Sequence, residues 1–533
     1  MNKITAAAAA LLTAATVAAQ IQFSPDRKLR MAENLIEAYY VDSVNADRIV
    51  EEAIIAMLGS LDPHSAYSTA EETKELNEPL QGNFSGIGVQ FNMQQDTLYV
   101  IQTIAGGPSE QVGIRAGDRI IEANDTVIAG VKMKNTDIMK ILRGPKGSVV
   151  NVKVLRRDTP EPIEFRITRD DIPLYSVDAA YMVDPTTGYI RISRFAADTG
   201  KEFVDAANKL LRKGMQNLII DLESNGGGYL NAAVELANQF LRNQDMIVYT
   251  QGRNTPPAYF RAEGDGGFLN GRVVVMVDEY SASASEILSG ALQDNDRGVI
   301  VGRRTFGKGL VQRPFPFPDG SMIRLTVSNY YTPSGRSIQK PYEKGDADDY
   351  RMDLLRRYNH GEFYSADSIR MNDSLRYETL RNHRTVYGGG GIMPDRFVPV
   401  DTTQMTNYYR DLRAKDMFNR YSFEYVDNNR KELKKLYPDE DTFVSNFTIT
   451  PAMMDSFIAE AKEAGVEPND EQLAQSRQAI ELVLKGLIGR DLFETATYYR
   501  VTNPLNPVYK EAVSIINDPA AYNSLLQGTS SSK

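Results

Sequence analysis

Ser283 and Lys308 are the residues whose types and surroundings could do chemistry. A buried strand, Arg272 to Asp278, is followed by a small-residue turn and by a helix that starts within SASASE, residues 281–286. This pattern places Ser283 at a helix N-terminus, where the helix dipole and free backbone amides stabilise charge developing on a substrate carbonyl oxygen. Ser283 is therefore a candidate nucleophile. Ser283 and Glu286 also form a capping box, so the serine alone does not separate catalysis from helix capping.

A serine nucleophile needs a base, and histidine is scarce in this chain. Only His64, His360 and His383 are present, and none belongs to a metalloprotease H-E-x-x-H pattern. Lys308, in TFGKGLVQ, is the alternative base. Its pKa would have to fall from ~10.4 to ~7 or 8, which burial in an apolar wall can achieve. Gln312 lies four residues on; it could contact the lysine in a helical turn but not in a regular strand, and the sequence leaves both open.

Composition excludes several other functions. The chain has 533 residues, a net charge of -10 without a basic stripe, and no cysteine, so nucleic-acid binding, disulfides and cysteine zinc sites are not expected. The sequence Gly302-x-x-x-x-Gly307-Lys308 resembles the motif of a phosphate-binding loop. However, Gly309 replaces the magnesium-binding serine or threonine, and nearby prolines forbid the following helix.

The elements that must position Ser283 and Lys308 form an α/β region. From 169 to 400, strands such as NLIIDL and VIVGRR alternate with amphipathic helices, as in a core with parallel strands. A polar insertion at about 341–387 interrupts this core, with helical fragments predicted in DYRMDLLRRY and SLRYETLRNH. Residues 401–533 carry charged helices with apolar stripes and are interpreted as a helical C-terminal domain.

The N-terminus has the pattern of an export signal. Residues 1–19 contain an early lysine and an uncharged, alanine-rich run, and Val17-Ala18-Ala19 resembles a cleavage site. We therefore expect an exported protein, periplasmic in a double-membrane bacterium, with no membrane insertion after cleavage. An uncleaved signal anchor is the alternative. Residues 20–85 are predicted to form an N-terminal helical region.

Between 86 and 168 the chain changes to short strands separated by glycine. GIGVQF, PSEQVGIRAGDRIIEAND and TDIMKILRGPKGSVVNVKVLR together resemble a PDZ domain of the bacterial protease type. Such a domain adds an extended peptide to a strand edge, while amides of a glycine-rich loop bind its terminal carboxylate. The candidate loop consists of Gly86, Ile87, Gly88 and Val89. Alternatively, these glycines serve only tight turns.

Seven motifs in order resemble the C-terminal processing, or tail-specific, proteases. They are LDPHSAY, GIGVQF, the PDZ-like stretch, YSASASEILSGALQD, VGRRTFGKGLVQ, YYTPSGRSIQ and GGGGIMPD. The resemblance implies a crotonase-like α/β protease core with an inserted PDZ domain. It further implies Ser283 as nucleophile, Lys308 as general base and Gln312 as the residue that orients the lysine. The oxyanion would be bound by the backbone amides of Ala284 and Gly227.

The glycine turn departs from the family pattern. Where the family usually has an arginine followed by Asn-Pro-Gly-Gly, this chain has Glu223-Ser224-Asn225-Gly226-Gly227-Gly228. Without the proline the turn loses a rigid φ, but it keeps glycines for close backbone approach.

The resemblance predicts an exported serine endopeptidase that captures non-polar protein tails and cleaves near their C-termini. No metal or organic cofactor is needed, nucleic acid is not a partner, and a homodimer is expected. The alternative is a non-catalytic scaffold that only binds peptide tails.

Overall fold

The computed structural model describes residues 24–94, 96–104, 106–157 and 159–529. The predicted signal peptide, residues 1–19, lies outside the described residues. The chain divides into two compact units. Within the described part, the first comprises 24–70, 312–326 and 342–350, and the second comprises 71–311, 327–341 and 351–529.

The first unit contains two N-terminal helices, α1 (Pro25–Tyr39) and α2 (Ala46–Gly59), and the short strand β1 (Ala66–Ser68). The side chain of Asn45 caps α2 by accepting from the amide of Arg48. Between α2 and β1, the LDPHSAY motif folds around the carboxylate of Asp62, which accepts from the backbone amides of His64 and Ser65 at 2.9 Å. β1 then pairs antiparallel with residues 322–324.

Helix α3 (Ala70–Gln81) leads into the predicted PDZ region, which is a strand-rich domain. Its antiparallel sheet has the order β3-β4-β5-β7-β8, with β6 paired to β5 and β2 paired to β9 outside it. Alternate strand residues and the long helix α5 enclose one apolar core, which includes Leu98, Ile120, Ile138 and Val152. The elements are β2 (Asn83–Gly86), β3 (Val89–Gln94), β4 (Thr97–Thr103), α4 (Pro108–Gln111), β5 (Arg119–Ala123), β6 (Thr126–Val127), α5 (Asn135–Leu142), β7 (Val149–Arg156), β8 (Thr159–Thr168) and β9 (Asp170–Pro173).

The predicted α/β region is built on a six-stranded sheet of order β10-β11-β12-β15-β16-β21. β10 and β11 are antiparallel, and each later pair is parallel, as alternating strands and helices require. The strands are β10 (Val177–Met182), β11 (Thr187–Ile192), β12 (Asn217–Asp221), β15 (Val273–Val277), β16 (Val299–Gly302) and β21 (Arg396–Phe397).

Each face of this sheet is covered by helices. One face packs against α6 (Thr199–Arg212), α7 (Leu230–Asn238) and α8 (Ala284–Asp294). The opposite face contributes Ile219, Val274 and Met276 to a core with α16 (Thr495–Thr502), α17 (Pro507–Asn517) and α18 (Pro519–Gln527). Since both faces are buried, β15 reads as an uninterrupted apolar run rather than an alternating one.

The remaining strands of the α/β region are β13 (Met246–Gln251), β14 (Ala258–Arg261), β17 (Leu310–Pro316) and β18 (Met322–Tyr331). The insertion contains the predicted helices at DYRMDLLRRY, as α9 (Ala347–Arg351) and α10 (Asp353–Asn359). The helix predicted at SLRYETLRNH is wrong. Apart from a short 3-10 turn, this segment forms β19 (Arg376–Glu378), which pairs with β20 (Thr385–Tyr387), and pairing across a hairpin overrides the local helical spacing.

The C-terminal region is helical, as predicted. Its first part forms its own apolar cores, in which Phe418, Phe457 and Ile480 are buried. This part comprises α11 (Asn407–Ala414), α12 (Met417–Leu436), α13 (Glu440–Asn446), α14 (Pro451–Glu463) and α15 (Asp470–Leu492). The helices from Thr495 onward pack on the central sheet instead. Across the described residues, none of the helices is both long and apolar enough to cross a bilayer.

Candidate active site

Ser283 lies where the sequence predicts, between a strand and a helix that are both buried. All residues of β15 and of α8 are buried, whereas Ser283 itself is partly exposed. Its backbone has φ 56° and ψ -113°, a conformation that L-residues rarely adopt. Such strain costs on the order of 1–3 kcal/mol and persists only where neighbouring contacts hold it. The turn therefore presents a serine at a helix N-terminus in a fixed, strained geometry.

The carboxylate of Glu286 holds this turn in place through hydrogen bonds. One oxygen accepts from the hydroxyl of Thr305 at 2.5 Å and the amide of Gly307 at 2.8 Å. The other accepts from the amides of Ser283 at 2.8 Å and Lys308 at 2.9 Å. Burial raises the pKa of Glu286, although these hydrogen bonds oppose that effect. Because both amides donate to the same carboxylate oxygen, the backbone nitrogens of Ser283 and Lys308 lie close together.

Tyr330 joins the same two residues from another direction. Its buried hydroxyl lies 2.6 Å from the carbonyl oxygen of Lys308 and 3.2 Å from that of Ser283. Its amide donates to the carbonyl oxygen of Gly309. The backbones around Ser283 and Lys308 are therefore held together on their donor side by Glu286 and on their acceptor side by Tyr330.

The glycines beside Lys308 are required by close packing. Gly307 has φ +88°, and a Cβ there would lie 3.1 Å from the amide nitrogen of Gly391. A Cβ on Gly309 would lie 2.8 Å from the amide nitrogen of Gln339. The side chain of Lys308 is partly exposed between buried neighbours.

The glycine turn that follows β12 approaches Ser283 directly. A Cβ on Gly227, which has φ +100°, would lie 2.7 Å from the Cβ of Ser283 and 3.0 Å from the amide nitrogen of Ala284. Gly227 and Ala284, the predicted oxyanion donors, are therefore neighbours. The amide of Gly227 donates to Oδ1 of Asn225 at 2.9 Å. In this arrangement the amide is already engaged within its own turn.

Glu223 begins this glycine turn and occupies a crowded acidic environment. Loss of hydration and the nearby carboxylates of Asp221 and Asp278 raise its pKa to about 8. One oxygen of its carboxyl group accepts from the side-chain amide of Asn506 at 2.6 Å. Arg191 donates to the backbone carbonyl of Glu223 and to the carboxylate of Asp221. The turn is thus linked to the start of helix α17, which Asn506 caps.

Gln312 lies on strand β17, which begins at Leu310, and Lys308 precedes this strand. Its side-chain amide donates to the backbone carbonyl oxygen of His64. The other two histidines, His360 and His383, are exposed.

The predicted peptide-binding loop lies at the end of the PDZ-like sheet. Gly86 ends β2, Val89 begins β3, and Gly88 between them has φ +74°. β3 is an edge strand of the described sheet, so its outer side can receive another strand. Beside it lies a small cavity of about 70 Å³ with a mostly apolar lining, made by Phe84, Ile87, Gly88, Val89, Phe91, Met139, Leu142 and Arg143.

Three contributors to the site were not identified from the sequence. Glu286 was recognised only as a capping residue, although it binds three groups on a distant segment. Tyr330 has no local signal, because its contacts depend on the tertiary fold. The contact of Asn225 with the amide of Gly227 is local to the glycine turn. Glu286 lies next to the apolar residues Ile287 and Leu288 in this helix, and this position is the signal for its role, because a buried carboxylate must find donors.

Three protein-family models match parts of this chain. Residues 186–350 match the model of peptidase family S41, and residues 85–167 match the PDZ domain model. Residues 408–494 match a family of unknown function.

Similar curated proteins cover most of the chain. Carboxy-terminal processing protease CtpB of Bacillus subtilis is 36% identical, over 66% of this chain and 71% of the relative. The carboxy-terminal-processing protease of Bartonella bacilliformis is 34% identical, over 71% of this chain and 86% of the relative. The chain belongs to the carboxy-terminal processing proteases of peptidase family S41. The predictions of a serine endopeptidase with a PDZ domain and a helical C-terminal region are confirmed at the level of the family.

Proposed function

We propose that this peptidase is an exported Ser/Lys endopeptidase that binds non-polar protein tails and cleaves near their C-termini. The observation that carries the proposal is the single oxygen of Glu286 that accepts from the amides of both Ser283 and Lys308. Serine hydroxyls need a nearby base to become nucleophiles, and this carboxylate keeps the backbones of the two residues together. The β10–β21 sheet with its covering helices serves as a crotonase-like scaffold.

In the first step, the Ser283 hydroxyl oxygen attacks the scissile carbonyl carbon while the neutral amine of Lys308 accepts the hydroxyl proton. The negative oxygen that forms accepts hydrogen bonds from the amide of Ala284 and, once it leaves Asn225, from that of Gly227. Lys308 then gives its proton to the leaving nitrogen as the C–N bond breaks. Gln312 orients Lys308 during these transfers.

The second step returns the enzyme to its starting state. Water attacks the acyl-serine carbonyl while Lys308 takes one of its protons, and the proton returns to Ser283 as the ester bond breaks. Each cycle thus consumes one water and one peptide bond. No metal or organic cofactor takes part in these steps.

The PDZ domain would supply the substrate. Amides of Gly86 to Val89 bind the terminal carboxylate, and the adjacent cavity accepts a small non-polar side chain. The apolar lining supports the preference for non-polar tails. Export to the periplasm rests on the sequence of residues 1–19, and a homodimer rests on family resemblance; fractionation of cells and light scattering test these two points.

Intact-protein mass spectrometry tests the catalytic proposal. An unfolded protein with a non-polar tail is incubated with wild type, Ser283→Ala and Lys308→Ala. We expect cleavage by wild type alone, with tail-peptide binding retained by both variants. Equal cleavage by all three proteins would refute the dyad. A rate that does not rise with pH anywhere between ~6 and 9 would contradict a neutral lysine base.

The delivery role has its own test within the PDZ domain. Gly88 and Gly130 have nearly the same positive φ, but a Cβ meets Ile172 at 3.0 Å only at Gly88. Gly88→Ala should weaken binding of a tail peptide severalfold, measured by fluorescence anisotropy, whereas Gly130→Ala should not. Equal affinities in the two variants would exclude the Gly86–Val89 loop as the binding site.

A further inference from the structure

The insertion at 341–387 carries a helix that contacts the segment leading to Lys308. Arg357, on helix α10, is buried, and its guanidinium donates to the carbonyl oxygens of Arg304 at 2.6 Å and Thr305 at 3.1 Å. Burial lowers the pKa of Arg357 to about 10, so it remains charged near neutral pH. A buried arginine that donates hydrogen bonds to two backbone carbonyl oxygens restricts the conformation of the segment that contains them.

A second contact comes from the same face of the helix. Asp353, four residues before Arg357, pairs with the amine of Lys340 at 2.9 Å. That amine lies 3.9 Å from the ring centroid of Phe306. The amide of Lys340 also donates to the carbonyl oxygen of Gly307 at 2.9 Å. One helical turn thus reaches Arg304 and Thr305 directly and Phe306 and Gly307 through Lys340.

Glu362 completes the network. One of its oxygens accepts from Arg357 at 3.1 Å and from Arg304 at 2.5 Å. Arg304 also donates to the carbonyl oxygen of Gly390 at 2.8 Å. Each charged group in this partly or fully buried network therefore pairs with a group of opposite charge, although Nε of Arg304 has no hydrogen-bond partner among the described residues.

We propose that Arg357 is a positioning residue that, together with Asp353 on the same helix face, fixes the segment 304–308 and thereby the place of Lys308. This inference rests on the proposed Ser/Lys mechanism. Glu286 binds the segment from the side of Ser283, and the insertion binds it from the side of Arg304 and Phe306. Removal of the contact made by the insertion should displace Lys308 without changing the peptide-binding loop of the PDZ domain. Small misplacements of catalytic groups are costly, and 1 Å can reduce the rate by about 100-fold.

The principal test is Arg357→Lys, which keeps the positive charge but loses the forked donor geometry. We expect kcat for a short peptide to fall about 10- to 100-fold, with KM within about twofold of wild type. Binding of a tail peptide should be unchanged. Arg370→Ala, which alters an exposed arginine of the same insertion, is the matched control and should have wild-type kinetics.

Two milder variants keep the inference testable if Arg357→Lys folds poorly. Asp353→Asn and Glu362→Gln should each lower kcat in the same direction by a smaller factor. Glu362→Gln combined with Arg357→Lys should cost less than the product of the two separate factors, because both act on one network. Wild-type kcat in Asp353→Asn and Glu362→Gln would overturn the inference.

Hydrogen exchange of the backbone amides separates this inference from the catalytic proposal. By mass spectrometry, a peptide covering 304–309 should exchange faster in Arg357→Lys than in wild type, whether or not the protein cleaves peptides. If Ser283→Ala cleaves as well as wild type while exchange increases, the dyad fails and the positioning contact stands. Unchanged exchange with unchanged kcat refutes the positioning role alone.

Discussion

Two glutamates flank the active site and have opposite surroundings. Glu286, behind the serine turn, accepts four hydrogen bonds from amides and a hydroxyl. Glu223, at the start of the glycine turn, lies near Asp221 and Asp278 and accepts from Asn506. The two halves of the site therefore differ in how their buried polar groups are stabilised. The half with Ser283 and Lys308 is organised by satisfied hydrogen bonds. The half with the glycine turn places the carboxyl groups of Glu223, Asp221 and Asp278 near one another, and its Gly227 amide is bound to Asn225.

The largest effect is expected when the organised half is broken at Glu286. Glu286→Gln places an NH₂ group against N–H donors at a fully buried position. We expect the free energy of unfolding to fall by about 3 kcal/mol and activity to be lost. Urea unfolding and peptide hydrolysis measure the two effects. Glu263→Gln, at an exposed position, is the control, and a variant Glu286→Gln as stable and active as this control would contradict our interpretation.

The half of the site with the glycine turn is tested by substitutions at two adjacent glycines. At Gly227 an added Cβ would collide with Ser283, whereas at Gly226 it would meet nothing within 4 Å. Gly227→Ala should lower kcat about 100-fold, the scale expected for loss of an oxyanion contact. Gly226→Ala should retain most of the activity. Similar kcat values for both variants would show that the turn does not need to approach the nucleophile closely.

The smallest effect concerns the charge on Glu223 and depends on pH. Its carboxyl group has a pKa of about 8 in the folded protein, above its ordinary value of 4.5. The folded state therefore binds the proton more tightly than the unfolded chain, and stability should fall as pH rises from about 4.5 to about 8. Glu223→Gln removes this titration and should be more stable than wild type at pH 8, by on the order of 1–2 kcal/mol. At pH 5 the difference should shrink.

Urea unfolding at pH 5, 6.5 and 8 measures this difference. A constant gap between wild type and Glu223→Gln across these values would mean that Glu223 does not titrate in this range. The contrast between the two glutamates would then rest on hydrogen bonding alone.

Local patterns predicted the parts of the site that depend on neighbouring residues. The apolar strand ending near Asp278, the turn at Ser283 and the following helix are all short-range features, and each lies where the sequence places it. The PDZ-like region was predicted for the same reason, and residues 85–167 match the PDZ domain model. The glycine turn, which the sequence predicts to allow close backbone approach, does approach Ser283 at Gly227.

Long-range contacts could not be predicted from one sequence. The bonds from Thr305 and Lys308 to Glu286 join distant segments, so no periodicity encodes them. The hairpin that replaces the expected helix after Ser374 depends on Arg384, which pairs with Asp296 and Asp395. The helices after Thr495 pack on the central sheet, and their amphipathic pattern does not predict this partner. The pattern indicates only that one face of each helix is buried.

The packing of the last helices on the central sheet also determines when, during synthesis, one face of the sheet can be buried. Val274, Met276 and Val301 are shielded by Pro507–Asn517 and Pro519–Gln527, the final helices of the described chain. A ribosome that has already made Ser283 and Lys308 has still not made the surface against which their scaffold closes. A polypeptide that extends only as far as Lys308 therefore lacks the helices that bury Val274, Met276 and Val301 on this face of the sheet.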